Sequence, residues 1–309
     1  MIEVNRILYP DRVLPDNERN PEFWTRFCVW CDLNGFSEPE LLLPQIARKT
    51  KISPFRFEQR FVGKTPPSLE EIQALGPWDY QIEWSQITSK GIRQNEDWLV
   101  HRYRSSLLID LASEIAGPAK ASMSVLDVAC HCGILALEFG EAGFGSVKGL
   151  DLRQKNIRQA EFLKKTFDCG NVSFEVTNAR NLKGHEADVV LCGGLLYHVT
   201  FPVELMTDLY NATGKFLVFD SVAQNHPWSG FHIIDERDVN RTLDGDNRIE
   251  LMPTYRGIID LLRAAGFAEI YEVLGDQAES VPFYKKRNIR SFVATKRGFE
   301  IPKQITGLI

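Results

Sequence analysis

The stretch VLDVACHCGILALEFG, residues 125–140, decides how this chain folds. It opens as a short apolar run, Val125 to Val128, interrupted by one acid, Asp127. A buried strand reads this way. Ala129 to Gly133 then turn the chain, and from Ile134 to Ala142 the residues suit a helix. A strand that turns sharply into a helix presents backbone N–H groups, which bind carboxylate or phosphate. Loops of this kind usually carry several glycines. This one has Ala129, Cys130, His131 and Cys132, and only Gly133. A metal site, a redox site and a ligand loop with unusual lining are all compatible with that composition.

Working outward, the pattern repeats. SVKGLDL reads as a second strand and Gln154–Phe167 as an amphipathic helix. NVSFEV is a third strand and ADVVLCGG a fourth, followed by a loop and a helix over Pro202–Asn211. KFLVFDSVA is a fifth strand, and a polar insert separates it from a helix over Thr254–Ala265. Glu269–Leu274 and Ile289–Ala294 complete the set. Strands alternating with helices of this length predict an α/β fold with a doubly wound, mostly parallel sheet. Before it, short helical patterns such as Pro21–Leu33 and Ser68–Leu75 are broken by prolines and turns. GPWDYQIEW, from Gly76, reads as an extended aromatic stretch, and Asp97–Ile115 as an entry helix. The expected organisation is a mainly helical N-terminal or lid region over 1–96 and a ligand-binding domain over 97–309.

Sheets of this type bind ligands outside the carboxyl ends of their strands. Asp127 is therefore placed to accept from a ligand's amino group or from the loop. Asp151, ending the second strand, suits the hydroxyls of a ribose. A nicotinamide enzyme would want G-x-G-x-x-G after the first strand, and A-C-H-C-G lowers that reading. Asn178 after the third strand offers an amide for an adenine edge. Gly193 and Gly194 after the fourth let backbone approach a ligand. Tyr197 and His198 follow. His198 is either a general base or a residue that holds the loop by a backbone hydrogen bond. Tyr197 either shapes the site or packs beneath it.

The ordered motifs VLDVACHCG, GLDL, NAR and CGGLLYH resemble those of class I S-adenosylmethionine (SAM)-dependent methyltransferases. LLYHVTFPVEL is similar to the L-Y-H-x-x-x-P motif of the branch containing the tRNA wobble-uridine carboxymethyltransferase, and MPTYRGIIDLLRAAGF to the helix before that branch's last strands. The resemblance covers roughly residues 97–297. It implies a Rossmann-like sheet of seven strands with one antiparallel. It also implies SAM as cofactor, bound by the loop positions Ala129, His131 and Gly133, by Asp151 at the ribose, by the adjoining Leu152, and by Asn178 with Ala179 near adenine. The family loop is usually G-x-G-x-G, so Ala129 and His131 stand where glycines are usual and His131 is expected near the methionine arm.

Other groups have plainer readings. Cys130-His131-Cys132 are poor joint ligands, because adjacent residues in one turn rarely converge on one ion. Cys28 and Cys31 form a lone C-x-x-C with no second pair. Structural thiols are expected, and no metal. His226, Trp228 and His232 either line an acceptor pocket or cap a surface loop. Trp78, Tyr80 and Trp84 form a lid, a domain seam or core. Tyr284–Arg290, and Arg153, Lys155, Arg158, Lys164 and Lys165 on the second helix, suit phosphate contacts or ordinary solvated faces.

The bulk properties narrow the partners. In 309 residues, 36 basic against 41 acidic groups leave a net charge of −5, which supplies no overall attraction to nucleic acid. The N-terminus has no apolar core of signal-peptide length, and no window approaches the ~18–20 apolar residues of a membrane span. Six cysteines in a chain this long are not a disulfide scaffold. The expectation is a cytoplasmic enzyme that transfers a methyl group from SAM to a small polar metabolite, with His198 and Tyr197 at the catalytic position. RNA is the second acceptor class. Cyclisation of SAM to azetidine-2-carboxylate with release of methylthioadenosine, and a SAM-binding protein without turnover, are the further alternatives.

Overall fold

The computed structural model describes residues 43–50, 52–59, 67–80, 82–84, 87–88, 95–226, 228–235, 249–276, 278–286, 288–302 and 305. Contacts group residues 40–309 as one unit, to which all of these belong. The expected helix at Pro21–Leu33 and the Cys28/Cys31 pair lie outside the described residues.

The chain enters with β1 (Gln45–Arg48), α1 (Arg56–Gln59), α2 (Leu69–Ala74) and the short hairpin β2 (Glu83–Trp84) and β3 (Ile87–Thr88). The long α3 (Asn95–Ala116) leads through a 3-10 turn to β4 (Ser124–Val128). Then follow α4 (Ile134–Glu141), β5 (Ser146–Asp151), α5 (Gln154–Phe167), β6 (Val172–Val176) and β7 (Ala187–Gly193). A 3-10 turn at Leu196–His198 precedes α6 (Pro202–Ala212) and β8 (Thr213–Val222). The hairpin β9 (Phe231–Asp235) and β10 (Ile249–Pro253) comes next, then α7 (Tyr255–Ala265), β11 (Glu269–Gly275), α8 (Pro282–Lys285) and β12 (Ile289–Thr295).

The main sheet has eight strands in the order β1-β11-β12-β8-β7-β4-β5-β6, with β12 antiparallel to both neighbours. The seven strands read from the sequence are all there. The eighth, β1, pairs in parallel with β11 at the edge, Ile46 opposite Val273. It comes from the segment read as a separate helical region, because its four residues, QIAR, are too short and too mixed to show a strand period. The polar insert after the fifth strand likewise contains the hairpin β9–β10.

Alternation along the strands sorts the core. Val125, Val189, Leu191 and Val218 pack on the face carrying α3, α4 and α5. Leu126, Val128, Val190, Leu217 and Phe219 pack on the face carrying α6 and α7. Each fully buried side chain of this size contributes roughly 1.5–3 kcal/mol. Asp127 points to the α3–α4 face and breaks the apolar pattern there. From β4 the chain winds out to β5 and β6, then crosses back to β7 and β8. The switch point therefore falls between β4 and β7, where open α/β sheets bind ligands. Among the described residues, no helix is long and apolar enough to cross a membrane.

Candidate functional site

The loop after β4 keeps a glycine-type backbone without the glycines. Ala129, His131 and Gly133 all have positive φ, at 61°, 53° and 80°. These are the positions of the usual G-x-G-x-G. Hydrogen bonds hold the shape: Cys130 N donates to Leu150 O at 2.8 Å and Gly133 N to Cys130 O at 2.8 Å. Gly133 is required on a second ground, since a Cβ there would lie 2.5 Å from Phe174 Cζ. Gly149 on β5 leaves room for the Cys130 thiol, which would sit 2.9 Å from an added Cβ. Cys130 and Cys132 are buried, and burial pushes both thiols up, so neither is a ready thiolate. Among the described residues, no three His, Cys, Asp or Glu side chains are grouped to hold a metal ion.

A small cleft opens at the switch point. Asp127, Ala129, His131 and Gly193 line it, with Ile134 and Leu135 from the first turn of α4. Asp127 is 2% exposed and its Oδ2 has no hydrogen-bond partner. Burial first, and then the Asp151 charge, raise its carboxyl to about 7. The Ala136 N–H of α4 meets the same carboxyl, and a donor or cation entering the cleft would satisfy the oxygen left over.

Asp151 stands behind the loop rather than in the cleft wall. Its Oδ2 accepts from His131 N at 3.0 Å, and its Oδ1 from Arg153 N at 2.9 Å and Asn156 Nδ2 at 3.0 Å. A carboxylate has about four lone-pair positions. Three are taken here by the loop and α5.

His131 is held at the cleft wall by Asp79 and Tyr80. Its Nε2 lies 2.7 Å from Asp79 Oδ2, and its face meets the edge of Tyr80, with centroids 5.1 Å apart. Tyr80 also packs edge-on against His101 at 4.4 Å, and both rings line the cleft. Residues 75–80 form a strap bound to α5: Gln159 Nε2 donates to Leu75 O at 2.9 Å and Lys155 Nζ to Pro77 O at 3.0 Å. Trp78 anchors the strap in the core, donating its indole N–H to Ile72 O at 2.7 Å. Of the aromatic residues read as lid, seam or core, Trp78 lies in the core and Tyr80 in the cleft wall, and the Trp84 side chain is outside those described.

The remaining predicted residues follow the ends of β5, β6, β7 and β8 and are not among those lining this cleft. Gly194, also at positive φ, has Tyr197 Oη 3.5 Å from where a Cβ would stand. His198 packs against the Tyr197 ring at 4.1 Å, and its Nδ1 lies 3.2 Å from Glu250 Oε1 on β10. Asn178 Oδ1 accepts from Arg180 N at 2.9 Å in a turn after β6, with Ala179 packed on the core below. Leu152 is exposed, at 42%, beside the end of β5. His226 stacks on Trp228 at 4.2 Å, and burial lowers both His226 and His232.

Sequence reasoning missed Arg104, on α3, whose side chain lines the cleft. It also gave no sign of Asp79 or Glu250 as partners of the two histidines. These contacts join segments far apart in the chain, and no local spacing signals them.

Among known proteins, residues 119–246 match a family model described as a methyltransferase domain. A tRNA U34 carboxymethyltransferase from Helicobacter pylori (strain Shi470) is 34% identical over 169 residues, covering 52% of this chain and 59% of the relative. A protein of the same name from Helicobacter acinonychis (strain Sheeba) is 30% identical over 168 residues, with the same coverage. The chain therefore spans less than two thirds of the curated relatives it matches. Among solved structures, the N-terminal domain of EvdMO1, in the presence of SAH and D-fucose, aligns with a TM-score of 0.55 at 20% identity. That alignment covers 74% of this chain and 94% of the other. The eight-stranded sheet with its single antiparallel strand has the Rossmann-like fold of this neighbour, and residues 119–246 are similar to the methyltransferase-domain family.

Proposed function

We propose that the chain is a SAM-dependent methyltransferase acting on a small polar metabolite. One observation carries the reading: a loop with three successive alternate residues at positive φ runs into α4 beside the orphaned Oδ2 of Asp127. That arrangement fits the aminobutyryl arm of SAM, with Asp127 accepting from its ammonium. The loop backbone 129–133 curves around the arm, and Gly193 permits close approach. Asp151 accepts one ribose hydroxyl while holding His131 N. Leu152, Asn178 and Ala179 border the adenine.

Bound SAM supplies a methyl group already activated on a sulfonium. The protein's task is then alignment of acceptor, methyl and sulfur, with Tyr197 shaping the acceptor side. His198, oriented through Nδ1 by Glu250, accepts the proton of a hydroxyl or amine acceptor. A cytoplasmic location goes with this reading.

The relatives' name supports a second reading, in which the acceptor is a tRNA and the transferred group a carboxymethyl. Exposed Arg158 and Lys165 on α5 would then meet phosphate. Incubation with SAM and a cell extract separates the possibilities. The metabolite reading expects S-adenosylhomocysteine from the low-molecular-weight fraction, insensitive to nuclease. Turnover confined to the RNA fraction and lost with nuclease favours the second reading. Methylthioadenosine from SAM alone indicates cyclisation. Absence of SAM binding removes the whole account.

A further inference from the structure

The cleft that Asp127 lines also holds a buried cation. Arg104 is 8% exposed and lines the cleft wall. Its Nε lies 2.7 Å from Asp220 Oδ1. Asp220 is fully buried, and its Oδ2 accepts from Tyr284 Oη at 2.8 Å and Ser291 Oγ at 2.7 Å. One carboxylate oxygen thus faces the guanidinium as an ion pair and the other accepts two hydrogen bonds. Burial works against the charge on Arg104, but the Asp220 carboxylate outweighs it and holds the group cationic.

Gly194, after β7, lies beside the guanidinium. An added Cβ on Gly194 would lie 3.8 Å from Arg104 Nη1 and 3.5 Å from Tyr197 Oη. A guanidinium carries five N–H donors in a planar fork suited to a carboxylate. Asp220 takes the Nε edge. A buried cation that faces a ligand cleft, with its counter-ion behind it, is built to meet a second anion in front.

We propose that Arg104 recognises a carboxylate of the ligand bound in this cleft, with Asp220 as its positioning residue. The inference rests on the cleft being the cofactor site. The carboxylate has two sources, the amino-acid arm of the cofactor or an anionic group on the acceptor.

The test is calorimetric titration of the full chain and its Arg104→Gln variant with two probes, S-adenosylhomocysteine and 5′-methylthioadenosine. The second lacks the amino-acid arm. If the cofactor supplies the carboxylate, R104Q weakens S-adenosylhomocysteine about 10- to 100-fold and leaves methylthioadenosine within about twofold. If the acceptor supplies it, S-adenosylhomocysteine binds R104Q normally, and the saturated complex no longer binds succinate, which the wild-type complex does. Arg104→Lys retains the charge without the fork. It is expected to lose less of whichever affinity R104Q loses, and it serves as the test should R104Q not fold. Unchanged binding of both S-adenosylhomocysteine and succinate overturns the proposal, as does an equal loss for S-adenosylhomocysteine and methylthioadenosine. If the wild-type chain binds neither nucleoside, the cofactor reading itself has failed.

Discussion

Ala129 and His131 both occupy backbone conformations that glycine adopts freely, yet their substitutions should have opposite effects. A left-handed backbone costs an alanine roughly 1–2 kcal/mol. The extra freedom of glycine in the unfolded chain offsets roughly 0.4–1 kcal/mol of the relief. Ala129→Gly should therefore stabilise by up to about 1 kcal/mol, a rise of roughly 2 °C in Tm for a chain of this size. His131→Gly relieves the same strain but removes the partner of Asp79 and the ring that Tyr80 packs on. It should destabilise by at least about 1 kcal/mol. Thermal unfolding of the two variants reads the difference directly.

Asp127 predicts a pH dependence of its own. With its carboxyl raised to about 7, the folded chain holds a proton that the unfolded chain releases near its ordinary value of about 3.9. This group's contribution to stability is complete below that value and is lost as pH rises through 7. A ligand ammonium reverses the preference, because it favours the charged carboxylate. Affinity for SAM should thus rise between about pH 6 and about pH 8, by roughly tenfold at most per unit. Asp127→Asn should flatten both profiles and weaken binding. Calorimetric titration and melting curves across that range check both signs, and a wild-type affinity independent of pH contradicts the assigned role.

At the scale of elements, Thr254 joins the β9–β10 hairpin to α7. Its Oγ1 accepts from Gly257 N at 2.9 Å, capping the helix, and from Gly230 N at 3.1 Å, while donating to Trp228 O at 2.8 Å. Thr254→Ala should cost about 1–2 kcal/mol in chemical denaturation. Hydrogen exchange should also quicken in residues 228–235 ahead of the sheet, because the loss falls on the hairpin's anchor. Glu250 sits on that hairpin against His198, so the same variant tests whether the hairpin steadies the proposed base. Helix boundaries were the most legible feature of the sequence. The α5 bounds agree with the periodicity at both ends, because an amphipathic stripe ending at Asp168 in left-handed conformation is a local signal. The hairpin strands were not legible, since Phe231–Asp235 lies in a polar insert without clear alternation.

For the molecule as a whole, β1 tests how the N-terminal segment contributes to the domain. Ile46 is fully buried at the sheet edge, in register with Val273. Ile46→Asp should lower stability by about 3 kcal/mol or more and reduce the soluble yield, because the β11 edge loses its cover. Urea unfolding compared with wild type measures it, and a loss under about 1 kcal/mol would mean that the edge strand is dispensable.

The amino-acid sequence by itself determined the order of strands and helices, the loop after β4, and the acids Asp127 and Asp151 at strand ends. Those features follow from periodicity and turn chemistry, which act between neighbours in the chain. Only the tertiary structure decided where the functional groups face. It turned His131 toward Asp79, filled Asp151 with loop and helix donors, brought Glu250 to His198, and set Arg104 against Asp220 at the cleft wall. Each of these is a charge or hydrogen-bond pairing made across the packed sheet and its helices. Folding selects such pairs by burying them together, and no spacing along the chain records which two will meet.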